Sequence, residues 1–327
     1  MSNRHQLLTA ISSEIADYRN GEIKRLDTEH VDRWVRQFPD SAQDPILLEM
    51  KHVLENTYIN KKNFKDFISS VISNKNLAGD DPSIFWRGVK FLALQTAGNS
   101  QRVMLEMFDN TLQSKCGFGI SECGEEPHTF LYLDDLVYSG GRTKTDITRW
   151  IREESPKEAK LVILTLGIHL LGKYFAETDI NKASKDSGKS IKLDWWHAKS
   201  IEDRKAYMNN SDVLRPTTIP ADIETNKYIT ELGLDPVLRA PGQVGGNKFF
   251  SSEEGRFLLE QQFLIKGVQI RKQCPYLNEY MRPLGNSMLK TTGFGTMVVT
   301  FRNCPNNAPL VLWAGDPWYP LFPRKTN

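Results

Sequence analysis

Three apolar runs, "GVKFLALQ", "TFLYL" and "KLVILTLGI", constrain this chain more than any other feature. Each is too continuously apolar for a strand with one wet face. Strands buried on both faces belong to a parallel sheet with helices packed against each side. The segments between them fit that role: "QRVMLEMFDNTLQS" and "TKTDITRWIREES" read as connecting helices, and "IKLDWWHA" as a fourth strand. The expectation is an α/β fold, with a parallel-sheet core over residues 81–215.

The segments on either side have another character. "HVDRWVRQF" sets Val31, Trp34, Val35 and Phe38 at helical spacing, and "KKNFKDFISSVISN" does the same with Phe64, Phe67, Ile68, Val71 and Ile72. "DPILLEMKHVLENTYI" is expected to start at an Asp44 cap with Pro45 in the first helical position. Residues 1–80 therefore read as a helical subdomain, closed by a linker, "NKNLAGDDPS". Residues 216–327 read as a mixed α+β region that completes the core or forms a hood. Its long helix is "SSEEGRFLLEQQFLIKGVQIRKQ", capped by Ser251 or Ser252, with acids in the first turn. "GFGTMVVTFRN" and "APLVLW" are expected to be strands, "DPWYPLFPRKTN" a surface arm, and "NKASKDSGKS" a solvated loop.

Composition excludes several classes. The net charge of +2 over 327 residues gives no global field for nucleic acid. Seven tryptophans and 39% hydrophobic residues argue against disorder. No apolar run approaches the roughly 20 residues of a membrane span, and the first residues lack a signal-type apolar core. A cytoplasmic, membrane-free protein is expected. Cys116, Cys123, Cys274 and Cys304 form no CxxC pair, so they read as small buried thiols rather than zinc ligands.

The chemistry concentrates in "HTFLYLDDLVYSGGRTKTDITRW". A buried strand ends on Asp134 and Asp135, and ligands of open parallel sheets bind beyond such strand ends. Carboxylates there accept hydrogen bonds from vicinal ribose hydroxyls or orient a magnesium complex. Ser139, Gly140 and Gly141 follow, where backbone N–H groups come close to a ligand. The helix that opens after Arg142 or Thr143 turns its positive end toward the loop, a place for phosphate. Together these describe a cradle for ribose 5-phosphate.

"FLYLDDLVYSGGRT" resembles the phosphoribosyl-diphosphate (PRPP) loop of type I phosphoribosyltransferases. The resemblance implies that Asp134 and Asp135 face the ribose and that Tyr138 through Thr143 wrap the 5-phosphate. It implies a pyrophosphate loop in "LALQTAGNSQ", with Thr96, Ala97, Gly98 and Asn99 at the turn, and magnesium carried by the substrate. Tyr138 stands where many members have Asp or Thr, sometimes as a base. With an ordinary pKa near 10, a tyrosine is a poor base at neutral pH. Arg142 replaces or displaces the usual Thr.

More of the chain shares a wider likeness. "HVDRWVRQF", "LLEMKHVLENTY", "VGGNKFF", "RPLGNSMLKTTGFGTMVVTFRNCPNNAPLVLW" and "WYPLFPR" resemble, in that order, the phosphoribosyltransferase-like (PRTase-CE type) proteins of bacterial conflict systems. That resemblance implies a toxic effector of a retron anti-phage cassette. Its implied partners are a reverse transcriptase with its RNA–DNA hybrid product and, in many cassettes, a winged-helix protein. Asp134, Asp135 and Tyr138 would be the catalytic group, acting on PRPP or another nucleotide-type compound at the anomeric carbon. A non-catalytic nucleotide sensor or assembly subunit is the alternative, and a nucleic-acid scaffold a third.

Other motifs have two readings each. "GQVGGNK" is either a plain turn or a second phosphate turn with Lys248. Arg302 and Asn303 either cap a strand end or reach a pocket. Arg324 either packs in the arm or reaches a phosphate. Trp195, Trp196 and His197 either belong to the core or stack on a base.

Overall fold

The computed structural model describes residues 3–96, 100–127 and 129–324. In chain order it contains α1 (Asn3–Glu14), α2 (Thr28–Val35), α3 (Asp40–Thr57), α4 (Lys61–Ile72), β1 (Val89–Leu92), α5 (Ser100–Cys116), β2 (Thr129–Val137), α6 (Gly141–Glu153), β3 (Glu158–His169), α7 (Leu170–Asp186), β4 (Ser190–Ile201), α8 (Ile223–Glu231) and α9 (Glu253–Gln273). Two compact units result. One comprises residues 61–201; the other joins residues 1–60 to 202–327. The N-terminal helices up to α3 thus fold with the last third of the chain.

In the first of these units, β1 to β4 form one parallel sheet in sequence order. The three apolar runs are its three inner or leading strands, and "IKLDWWHA" lies in β4. Leu92, Phe130, Tyr132, Leu161 and Ile163 share one face, against Ile147, Trp150 and Ile151 of α6 and Ala176 and Ile180 of α7. Alternation along β1 sends Phe91 to the opposite face. There its ring lies 5.1 Å from Phe108 of α5. Both faces of the sheet are therefore covered, as unbroken apolar strands require.

Helix α7 overturns the solvated-loop reading of "NKASKDSGKS", of which residues 181–186 are helical. Its buried stripe is Gly172, Ala176, Ile180 and Ala183. Small residues give little hydrophobic signal, yet they let the helix lie close to what it covers. Other boundaries shift for local reasons. Helix α3 starts at Asp40, after Pro39, which leaves Pro45 inside it. Gln43 secures that early turn by donating to the Phe38 carbonyl at 3.1 Å and to Asp40 at 2.9 Å. The linker holds two short helices, Lys75–Ala78 and Pro82–Arg87, capped by the side chains of Asn74 and Asp81. "APLVLW" is a helical turn, Leu310–Trp313, rather than a strand. Of "GFGTMVVTFRN" only Val299–Thr300 is strand, paired in parallel with Tyr58–Ile59.

The second unit packs α1, α2, α3 and α9 around aromatic contacts. Phe38 touches Trp34, Phe263 and Trp318 at 5.4, 5.8 and 5.7 Å. The C-terminal arm is interior rather than surface: Leu321 and Phe322 are fully buried, and Trp318 Nε1 donates to the Val311 carbonyl at 2.9 Å. "GQVGGNK" is structural. Asp212 accepts from Asn247 N and Nδ2 at 2.7 Å each, and a Cβ on Gly245 would meet the Ser211 carbonyl at 2.8 Å. Arg324 lies over the Trp313 ring at 4.7 Å. Among the described residues no helix is long and apolar enough to cross a membrane.

One ionic group holds this unit from inside. Glu260 is fully buried and accepts from Arg256 Nε at 2.9 Å, Arg239 Nη2 at 2.8 Å and the Arg215 N–H at 2.9 Å. Arg256 also donates to the carbonyls of Ser211 and Val213, at 2.9 and 2.7 Å. One carboxylate thus ties α9 to the chain before α8. Removing it leaves the buried Arg256 without a carboxylate and Arg239 with Glu253 alone, and breaking such a buried pair costs about 3–5 kcal/mol. Glu260→Leu should lower unfolding stability by about that much in urea titration. A loss under about 1 kcal/mol would show that the arginines find other partners.

Candidate functional site

The strand expected to end on Asp134 and Asp135 runs on to Val137, where the β2–β3 ladder closes with Val137 opposite Ile168. Asp134 pairs with Thr165 and Leu136 with Gly167, while Asp135, between them, is held by other bonds. Its N–H donates to Asp134 Oδ1 at 2.9 Å, and its carbonyl accepts from Thr165 Oγ1 at 3.0 Å. The Leu136 N–H in turn donates to Asp135 Oδ1 at 2.9 Å. The two carboxylates thus fold back on the backbone beside each other, but their surroundings differ.

Asp134 is only 5% exposed, and both its oxygens have partners. Ser100 Oγ donates to Oδ1 at 3.1 Å, and Gln95 Nε2 lies 3.4 Å from Oδ2. Burial first, and then the charge of Asp135, push the Asp134 carboxyl up to about 8. Asp135 is half-buried and keeps a path to solvent. The resemblance treated the pair as equivalent; the structure separates them into an inward and an outward carboxylate.

Gln95 and Gln101 were not foreseen. They exchange bonds across the β1–α5 turn: Gln101 Oε1 accepts from the N–H groups of Leu94 and Gln95 at 2.7 and 3.0 Å, and Gln95 Oε1 accepts from Gln101 N at 3.1 Å. Gln101 Nε2 also donates to the Leu133 carbonyl at 3.3 Å. These bonds bring the start of α5 against the end of β2. Thr96 is exposed at the bend of this turn. Ala97, Gly98 and Asn99, expected with it, lie outside the described residues. The only advance signal was polarity: Gln, Ser and Gln flank a turn inside an otherwise apolar region.

The loop after β2 sits on α7. Gly140 has φ +72 and caps α6. A Cβ on Gly140 would clash with the Gly172 carbonyl, and one on Gly172 with the Tyr138 carbonyl. Two backbones therefore meet here, and only glycine at both positions permits it. Gly141, Arg142 and Thr143 form the first turn of α6, where N–H groups point out of the helix toward the loop. Ser139 and Arg142 are exposed, whereas the Thr143 side chain is buried. The Tyr138 ring lies 5.3 Å from that of His169, the last residue of β3 and fully buried. His169 is a second unforeseen neighbour of the loop.

The remaining candidates lie apart from this loop. Trp195, Trp196 and His197 are half-buried on β4, the edge strand of the sheet. Cys274 and Cys304 are buried thiols, while Cys116 and Cys123 are half-buried. Among the described residues no group of three or more His, Cys, Asp or Glu side chains is arranged to hold a metal.

A parallel sheet with a Gly-rich turn from its second strand into a helix is a phosphoribosyltransferase-like arrangement. The PRTase-CE family model matches residues 31–324, and the chain belongs to that family. No curated protein and no solved structure matches the chain.

Two outcomes follow for the free protein. Asp134 binds its proton more tightly folded than unfolded, so its contribution to stability is complete below about pH 4 and is lost as pH rises through about 8. Asp134→Asn keeps the oxygen that accepts from Ser100 and carries no charge to bury. Its Tm should exceed the parent's by roughly 2–4 °C or more at pH 8.5, with the gap closing toward pH 4. A gap that widens on acidification would contradict the assignment. Gly172→Ala should lower Tm at every pH by pushing the Tyr138–Gly140 backbone off α7; an unchanged melting curve would mean that the contact yields freely.

Proposed function

We propose that the loop between β2 and α6 binds the ribose 5-phosphate part of PRPP or of a nucleotide, and that the chain acts at its anomeric carbon. The supporting observation is the half-buried Asp135 among the last residues of a parallel strand that ends at Val137, with a glycine-capped helix opening at Gly141. In this reading Asp135 accepts from the ribose hydroxyls. The N–H groups of Gly141 to Thr143 and the Ser139 hydroxyl hold the phosphate, with Arg142 as a charged partner. Asp134 is a positioning residue, which fixes the β1–α5 turn through Ser100 and Gln95.

Departure of a group from the anomeric carbon builds positive charge on the ribose ring. A carboxylate held beside the ring stabilises that charge without reorganising. Magnesium carried on the substrate's phosphates would neutralise the leaving group, with Asp135 helping to orient that complex in this reading. Tyr138 serves to orient the loop, with its ring packed on His169. The bond from the anomeric carbon to a base or pyrophosphate breaks with its electron pair on the leaving group, and an acceptor or water forms the new bond there and gives up its proton.

The biological role follows the family resemblance: a toxic effector of a retron-type anti-phage cassette. A reverse transcriptase, its RNA–DNA hybrid product and a winged-helix protein would hold it in check. One observation favours a second reading, a nucleotide sensor without turnover. Asp134, one of the two expected catalytic carboxylates, is sequestered by protein groups.

Calorimetric titration with ribose 5-phosphate tests the binding claim. Asp135→Asn should weaken binding by about tenfold or more, the size of a lost charge-assisted hydrogen bond, while Asp134→Asn should weaken it less. Equal affinity in the Asp135 variant sinks the assignment. Nucleotide pools in cells expressing the chain separate the two roles: depletion of one pool supports chemistry, and unchanged pools support the sensor.

A further inference from the structure

The unit built from the two ends of the chain gathers cations that it does not use. The loop before α2 and the arm at Tyr319–Pro323 line a cavity of about 280 Å3. Arg25 and Arg33 face it and, among the described residues, neither has a carboxylate partner. Lys24 meets Asp27 only at 3.8 Å, and its side chain is 86% exposed.

Arg33 is nevertheless fixed in place. Its guanidinium carbon lies 3.9 Å from the centre of the Tyr319 ring. A guanidinium laid flat on an aromatic ring keeps its N–H edges available, and those edges match a phosphate bidentately.

The wall behind it is built rather than loose. Tyr319 Oη donates to His30 Nδ1 at 2.7 Å, which leaves Nε2 to donate to the Leu321 carbonyl at 2.9 Å. Burial lowers the His30 pKa, in keeping with the neutral ring that these bonds require. Gln37 binds the Tyr319 backbone from both sides, accepting from its N–H at 2.9 Å and donating to its carbonyl at 2.8 Å. Asp27 is occupied in capping α2 through the His30 N–H at 2.9 Å. Asp27 and the exposed Glu29 are the two carboxylates of the lining that an anion would meet, and Lys24 offsets Asp27 at 3.8 Å.

We propose that this cavity binds a phosphate monoester of sugar or nucleotide size through Arg25, Arg33 and Lys24. Its volume is near the lower end for small-molecule pockets, larger than a bare phosphate needs. The site is independent of the reading of the β2–α6 loop.

The test is calorimetric titration of the full chain with 5′-AMP and, separately, with adenosine. AMP should bind saturably and adenosine should not. Arg25→Gln/Arg33→Gln should weaken the AMP component by about tenfold or more, because charge-assisted bonds are lost. Glu29→Gln should tighten it about two- to fivefold by removing a like charge. Asp135→Asn should leave this component in place. Both arginines are exposed, so the double variant should keep its circular dichroism spectrum and Tm. No AMP binding, equal binding of adenosine, or full binding in a folded double variant overturns the proposal. So does AMP binding that Asp135→Asn abolishes and the double arginine variant retains, since all of it would then belong to the β2–α6 loop.

Discussion

The candidate loop depends on one contact that involves no side chain. The backbone of Tyr138–Gly140 rests against the backbone of Gly172, at the start of the helix that follows the next strand. Two peptide chains approach this closely only where neither carries a Cβ at the contact. The loop's path is therefore set by α7 as well as by the strand that leads into it. The small stripe of α7, Gly172 and Ala176 among it, brings that helix close enough to serve as a floor. The positive φ of Gly140 then turns the chain directly into α6.

A second constraint is electrostatic. Asp134 is drawn into the sheet side of the site, where a chain of bonds runs from Asp146 through Tyr132 toward Gln95 and Asp134. Tyr132 Oη donates to Asp146 at 3.0 Å, and Gln95 Nε2 lies 3.5 Å from Tyr132 Oη. Burial of a carboxylate so close to a second one is unfavourable for the free protein. Its position makes sense as a device that joins two turns at the same end of the sheet. Asp135 is the half-buried member of the pair.

The sheet was legible because three strands are apolar on both faces, and buried parallel strands leave that mark whatever their neighbours. The turn into α6 was legible because Gly140 and Gly141 follow an apolar run and precede a helical pattern. What escaped lacks a one-dimensional signal. Helix α7 buries glycine and alanine, which no hydrophobic pattern marks. The difference between Asp134 and Asp135 is made by Gln95 and Ser100, residues some 35 positions away that only the sheet brings near. "GQVGGNK" left a plain turn and a phosphate turn both open. Gly245 serves packing against the Ser211 backbone. Proline placement misled in another way, since Pro45 is tolerated inside α3, an early start that Gln43 secures.

The division of the chain also orders its folding in time. Residues 61–201 are contiguous and contain the whole parallel sheet with its loop. That unit is complete in covalent terms while the last third of the chain is still being synthesised, and domains generally fold as units as they emerge. Helices α1 to α3 are made first but must wait, because their partners α9 and the Trp318–Phe322 arm are made last. Until then Trp34 and Phe38 lack the cover of Phe263 and Trp318. Residues 28–57 therefore stay incompletely buried for longer than the sheet unit does, and truncation near residue 318 would disturb them more than residues 61–201.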